Sequence, residues 1–405
     1  MGLGAMGIKN ASEAFTLEAR IKRHLRKHLS TLGFKKTQDG SLVLPDVSKD
    51  TIRHLHRQQR FEKLSESQAL VLAKLPQLID HFASGCDIVP SKIRPVLQRI
   101  LSNTWESDLF RLASLTWSVP VSAGFGRRIR YLVWDNANGK LIGIVAIGDP
   151  VFNLGVRDEL IGWSSADRSE RLVNVMDAYV LGAVPPYNML LGGKLVASLL
   201  RTKDVYKDFA DQYGKTTGII SGLQKKARLL AITTSSSMGQ SSIYNRLKLG
   251  ETQYFRSIGY TGGWGHFHIP DDLFDEMRMY LRSIKHTYAD LHTFGEGPNW
   301  RLRTVRAALD SLGFRQDMLK HGIQREVFIC ETARNSLELL AGYGKRPELK
   351  QLLSARAVGA LAVRRWMIGR AERRPDYQSW DRHNIRAMMT LSEVVSRERQ
   401  QALAG

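Results

Sequence analysis

The sequence predicts an α+β protein, a mixed β-sheet core between helical flanking regions, on three observations. Apolar residues recur at three- and four-residue steps near both ends, short β-branched runs separated by turn residues fill the middle, and those runs are mixed with few helical stretches. The chain has 405 residues, 43% hydrophobic and 24% charged. That composition is ordinary for a globular protein, and the length exceeds what one core usually organises. Three regions are expected: a basic helical segment 1–107, an α+β core 108–297 and a basic helical segment 298–405.

From Glu13 to Leu32, the spacing of Phe15, Leu17, Ile21, Leu25, Leu29 and Leu32 predicts a helix whose other face carries Arg20, Lys22, Arg23, Arg26 and Lys27. Asp39-Gly40 marks a turn between Lys35-Lys36 and Leu42-Val43-Leu44, so a small hairpin follows, and helical patterns resume at Ser48–Ser65 and Ser67–Phe82. This region reads as a helical cap or as a winged-helix arrangement. Strands are expected at Leu112–Val119, Arg128–Trp134 and Leu141–Ile147. Asp135-Asn-Ala-Asn-Gly139 joins the last two, because Asn and Gly tolerate positive φ. Another strand at Asn174–Ala183 ends at Pro185-Pro186, and a helix follows at Leu190–Leu200. Tyr213–Gly222 reads as a loop, Arg228–Thr233 as a strand, Ser235–Ser242 as a loop and Ile243–Leu249 as a short helix. Strands follow at Glu251–Ser257 and Gly265–Ile269. Beyond the break at Phe294–Pro298 the pattern is helical to the end, with runs at Leu302–Leu312, Val327–Leu340 and Leu349–Ile368.

Charge points to the partner. Lys+Arg number 59 against 39 Asp+Glu, a net +20, distributed as +7 over 1–107, +4 over 108–297 and +9 over 298–405. A field of that size draws polyanions, so nucleic acid is the first partner to test. Cys86 and Cys330 are too far apart for a zinc knuckle or a redox pair, and two thiols make no disulfide framework, which suits a reducing cytoplasm. No stretch approaches the roughly 18 uninterrupted apolar residues of a membrane span, and no basic segment precedes the weakly apolar start, so neither a membrane anchor nor a secretory signal is expected.

Arg364, Arg365, Arg370, Arg373 and Arg374, with Trp366 and Tyr377, form the densest basic and aromatic group, suited to a phosphate backbone or to a solvated helix face. Arg127, Arg128 and Arg130 are similar in kind, and Arg128 and Arg130 share one strand face. Asn188, Gly192, Gly193 and Lys194 at a strand-to-helix turn suit either an anion or tight helix-on-sheet packing, without P-loop spacing. His266 and His268 have metal-pair geometry but no third ligand nearby, and Asp158-Glu159 matches no two-metal signature, so no metal is expected. Ser241 and Ser242 lie in a polar loop without a nucleophile elbow.

The order strand, turn, strand, then Ala178–Leu200 with its Val184-Pro185 and Gly192-Gly193, resembles the core of the GNAT acyltransferase fold. That resemblance implies a turn whose helix amides hold the pyrophosphate of CoA, a general acid at Tyr244 within Ser242–Gly250, and Asp177 and Tyr179 facing the cleft. The chain departs from the family turn at Met189, where Arg or Gln belongs, and at Lys194, where a small residue belongs.

Longer segments, Trp117–Ser122, Gly126–Asp135, Leu160–Trp163, Pro185–Lys194, Gly265–His268 and Phe294–Arg301, resemble the DruA family of the Druantia anti-phage defence system. This resemblance implies a bacterial protein encoded beside a large helicase-like partner and acting against phage DNA, and it brings no established catalytic residue; together with the basic charge, it predicts a nucleic-acid-binding component of that system. The alternative function is a GNAT-like acyl or group transferase using CoA or a nucleotide. A scaffold for acidic proteins and a homo-oligomer stay open.

Overall fold

A computed structural model describes residues 4–36, 42–44, 46, 48–122, 124, 126–217, 224–262, 269–289, 300–314 and 324–396. The chain forms two compact units, Met1–Gln59 with Gly262–Gln324, and Arg60–Thr261 with Arg325–Gly405. These units cut across the expected regions 1–107, 108–297 and 298–405, because both flanks contribute to the second unit.

Along the chain, α1 (Gly4–Thr31) is followed by β1 (Lys35–Lys36), β2 (Leu42–Val43), α2 (Lys49–Leu55), α3 (Arg57–Leu78), β3 (Pro95–Arg99) and α4 (Trp105–Ser114). Then come β4 (Arg128–Asp135), β5 (Lys140–Gly148), α5 (Gly155–Ile161), α6 (Ser165–Arg171), β6 (Val175–Ala183), α7 (Gly192–Ser198) and α8 (Lys203–Tyr213). Short strands β7 (Lys215–Thr217) and β8 (Gln224–Lys226) precede β9 (Ala231–Ser235), β10 (Lys248–Leu249), β11 (Thr252–Gln253) and β12 (Arg256–Tyr260). The last elements are α9 (Asp271–Ser283), α10 (Trp300–Ser311), β13 (Glu326–Glu331), α11 (Ser336–Ala341), α12 (Ala355–Ala362), α13 (Ile368–Arg373) and α14 (Asn384–Met389).

In the first unit the expected stripe of α1 is the buried one: Ile21, Leu25, Leu29 and Leu32 are covered. α1 and α10 pack against α9, which buries Leu273, Phe274, Met277 and Leu281. Glu276 of α9 receives Arg20 at 3.2 Å and His24 at 3.3 Å. The small hairpin forms as expected, with Lys35 opposite Val43 and Lys36 opposite Leu42, while its Asp39-Gly40 turn lies outside the described residues.

The second unit is built on a seven-stranded sheet ordered β12-β13-β9-β6-β5-β4-β3. Every adjacent pair is antiparallel except β6 and β9. The β4–β5 hairpin turns at the predicted Asp135–Gly139, with Gly139 at φ 69°. β5 reads as a continuous apolar run because both its faces are covered. Ile129, Tyr131, Val145 and Ile147 pack on one side with residues of α7, α8 and α12; Leu132, Ile144 and Ala146 pack on the other with residues of α3, α4 and α14. Cys330 of β13 is fully buried, and burial pushes its thiol up to about 12, whereas Cys86 is exposed.

Several expectations are corrected. Leu112–Val119 is no strand: α4 begins at Trp105, and Leu109, Phe110, Leu112 and Ala113 form one helical stripe buried against the sheet. Val327–Leu340 is no helix. Its consecutive apolar residues Val327, Phe328, Ile329 and Cys330 form the buried strand β13, and a turn separates it from α11. The C-terminal flank is therefore not wholly helical. The Leu349–Ile368 helix starts at Ala355, where the Ser354 side chain accepts from the Ala357 amide, and continues through a π-helical stretch at Val363–Met367. Ser65 and Ser67 lie inside α3, the break falling instead at His56 between α2 and α3. Ile243–Leu249 holds only a single 3-10 turn, Tyr244–Arg246, and the strand expected at Arg228–Thr233 runs over Ala231–Ser235. The sequence pattern predicts neither α8 nor the edge strand β3.

Asp135 fixes one end of the sheet. Its Oδ1 accepts from the amides of Arg94 at 2.9 Å and Ala137 at 3.0 Å, and its Oδ2 accepts from the Tyr187 hydroxyl at 3.0 Å. The residue is 1% exposed. Asp135→Ala leaves buried donors unpaired and should cost about 2–4 kcal/mol, against about 1–2 kcal/mol for Tyr187→Phe. Chemical denaturation checks both. Equal stability of the Asp135 variant and wild type would exclude the anchoring role.

Candidate functional site

The strands β6 and β9 are paired over only three positions, Val175–Ala231, Met176–Ile232 and Asp177–Thr233. β6 runs on to Ala183 and the loop Val184–Leu191, which returns the chain into α7. The Tyr187–Asp135 bond anchors this loop. Gly192 is required at its end, because a Cβ there would lie 2.6 Å from the Tyr187 carbonyl, which accepts the Gly192 amide at 2.8 Å. Asn188 is exposed at the loop tip. The Met189 carbonyl accepts from Arg370 Nε of α13 at 3.2 Å.

Lys194, in the first turn of α7, places its ammonium 5.5 Å from the Trp366 ring centroid. Its pKa is lowered by burial first, and then by the charges of Arg246 and Arg365. Trp366 and Arg365 belong to the π-helical stretch, and π-helical turns recur at functional sites. Arg246 arrives on the 3-10 turn, whose neighbour Ile243 lies against Gly193. That segment is held from below: buried Glu326 accepts from the Ser241 amide at 3.1 Å and from Asn245 Nδ2 at 3.0 Å. Three separated pieces of chain thus bring Lys194, Arg246 and Arg365 together. Among the described residues neither arginine makes an ion pair.

The two catalytic candidates, Tyr244 and Asp177, also meet. The Tyr244 ring lies 5.4 Å from Phe255 and 5.2 Å from Phe328, centroid to centroid. Burial pushes its hydroxyl up to about 12; a hydrogen bond with Thr234 opposes the shift and the Asp177 carboxylate adds to it. Asp177 accepts from Thr233 Oγ1 at 2.7 Å, and burial raises it to about 6 against the pull of Thr233 and Arg157. Held by the neighbouring Thr234 and Thr233 near where β6 and β9 part, the two offer a proton donor and a carboxylate raised to about 6 that interact electrostatically. Tyr179 has its pKa raised by burial, with Arg128 and Arg130 opposing.

The remaining arginines divide. Arg364 and Arg373 are exposed, and Arg374 pairs with Asp376 at 3.0 Å. Arg127 is committed to Asp149 at 2.7 Å and to the Val173 carbonyl, with its guanidinium over Phe209 and Tyr213. Arg130 lies over Phe110 of α4, so Arg128 and Arg130 occupy the sheet face opposite Trp366. Sequence reasoning missed Arg246, Thr233, Thr234 and Glu326; the only local sign was the place of Arg246 two residues after Tyr244. His266 and His268 lie outside the described residues, among which no cluster of His, Cys, Asp and Glu could hold a metal. No helix among them is long and apolar enough to cross a membrane.

A family model described as Druantia protein DruA matches residues 46–342. Over 368 residues the chain is 59% identical to the Druantia protein DruA of Escherichia coli (strain UMEA 4076-1), covering 91% of each. No solved structure matches the chain.

The shift at Asp177 fixes a sign. A carboxyl whose folded pKa of about 6 exceeds the ordinary 3.8 binds its proton more tightly in the native state. The native state is therefore penalised as pH rises from about 4 through 6, by up to about 3 kcal/mol. Asp177→Asn should raise stability by roughly 1–3 kcal/mol at pH 8 and change little at pH 4. Thermal melts across that range check it, and equal gains at both pH values would refute the assignment.

Proposed function

The chain belongs to the DruA family, a component of the Druantia anti-phage defence system, and on that premise we propose that it is the system's nucleic-acid-binding subunit. In this reading it works in the bacterial cytoplasm beside a helicase-like partner. The observation that carries the reading is the convergence of Lys194, Arg246 and Arg365, for which no ion pair with a carboxylate exists among the described residues. Like charges repel, so holding three together costs free energy that a bound phosphate returns. Exposed Arg364 and Arg373 extend the cationic surface along the same helix, and the net charge of +20 adds long-range attraction.

A second reading, a GNAT-like group transferase, is favoured by a different observation. β6 and β9 part beyond Asp177, the chain enters α7 through the Gly192 turn, and Tyr244 and Asp177, close enough to interact electrostatically, supply a proton donor and an acceptor. Met189 and Lys194 remain departures from the family turn, so CoA is the cofactor to test.

Fluorescence anisotropy with duplex and single-stranded DNA at several salt concentrations tests the first reading. Wild type should bind with affinity falling steeply with salt. The triple variant Lys194→Ala, Arg246→Ala, Arg365→Ala should bind more weakly and lose about one unit of log–log salt slope per phosphate contact removed. Absence of binding by wild type at low salt excludes the reading. For the second, calorimetry with acetyl-CoA and CoA should give heat that Gly192→Ala abolishes, and silence from both ligands rules it out.

A further inference from the structure

We propose that the basic end of the first unit, formed by the last turns of α1 and the β1–β2 ribbon, is a docking surface for the phosphate backbone of duplex nucleic acid. The proposal rests on the nucleic-acid-binding reading and adds a surface separate from the Lys194 cluster. Residues 20–57 hold ten Lys and Arg against three Asp and Glu. The structure sorts these charges. On α1, Arg20 and His24 turn inward to Glu276, and Lys22 pairs with Glu18. Arg23, Arg26 and Lys27 are exposed and make no ion pair among the described residues, and the same holds for Lys35, Lys36 and Lys49. Among the described residues, both carboxylates of this stretch are already engaged. Asp50 pairs with Arg53, and Asp46 accepts from the Ser48 amide at 3.0 Å and Thr51 Oγ1 at 2.9 Å.

The ribbon supplies a second, independent observation. Adjacent strand residues point to opposite faces, yet Lys35 and Lys36 are both exposed, and Val43, opposite Lys35, is 43% exposed. The described side chains of β1 and β2 thus place two lysines and an apolar side chain at the solvent-facing surface directly after α1. The junction is braced by α2, with His54 Nε2 3.0 Å from the Thr31 carbonyl.

The chemistry selects a nucleic acid over a membrane or an apolar protein groove. Ile21, Leu25 and Leu29 of the last turns of α1 are consumed by the unit's own core, so among the described side chains of those turns no hydrophobic face is left to insert in lipid. What remains is charge at repeat spacing: Arg23 and Lys27, four residues apart, are separated by about 6 Å along the helix, close to two steps of a phosphate strand at about 3.4 Å each.

The test uses the full chain and a 20-base-pair duplex, with affinity measured across salt concentrations. The variant Arg23→Ala, Arg26→Ala, Lys27→Ala, Lys35→Ala, Lys36→Ala should keep its melting temperature and lose about three or more units of log–log salt slope. Arg26→Glu with Lys36→Glu, measured in parallel, should weaken binding at least ten-fold, and keeps the idea testable if the five-residue variant fails to fold. Unchanged slope and affinity in folded variants overturns this surface. If wild type binds no duplex, both proposals fall. If only the Lys194 cluster variant loses binding, the cluster stands and the ribbon surface falls; if only the ribbon variants lose it, the ribbon surface stands and the cluster falls.

Discussion

The backbone ladder between β6 and β9 closes over three residue pairs and then stops, and the arrangement of the candidate site in the second unit depends on where it stops. Beyond Asp177 the two strands no longer exchange main-chain hydrogen bonds; instead, the Thr234 side chain reaches across to the Ala178 carbonyl at 2.9 Å. One strand is free to continue into the Pro-rich loop and α7, while the other turns away toward Tyr244. Parallel strands need a crossover, and this crossover, α7 with α8, brings its glycine turn back beside the gap. Buried carboxylates then hold the rims: Asp135 grips the loop through Tyr187, and Glu326 grips the Ser241–Asn245 segment. Neither acid has a basic partner among the described residues, and each is satisfied by neutral donors. They serve as pins rather than as ion pairs.

The excess positive charge is not spread evenly over chemical roles. Arg157 is wholly buried and donates to Asp158 and to the Val151 and Phe152 carbonyls, so it belongs to the core. Arg127 and Arg374 are likewise held by acids. A formal charge of +20 therefore overstates the cations open to a ligand, and the ones that matter are those the fold leaves without a carboxylate.

Legibility followed how local each signal was. The β4–β5 hairpin was readable because Asp135–Gly139 has turn chemistry between two alternating runs, and the α1 stripe because its period is long and regular. β13 was misread since Val327–Cys330 is apolar throughout, and a strand covered on both faces has no period to distinguish it from a buried helix. Leu112–Val119 misled because its first residues are the tail of a helical stripe that starts upstream of them. The turn at Gly192–Lys194 and the arginines around Trp366 were each visible, but their meeting was not, since much of the chain separates partners that only the sheet brings together. Arg246 illustrates the same limit: one arginine in a short predicted helix, marked only by its place after Tyr244, gains its meaning when the fold supplies Lys194.

The two cysteines carry a practical consequence. The Cys330 thiol sits inside the sheet and is held protonated far above neutral pH, so it has neither the access nor the thiolate that alkylation requires. Cys86 has the access. The wild-type molecule thus comes with a single attachment point for a maleimide dye, and fluorescence work on it needs no engineered cysteine.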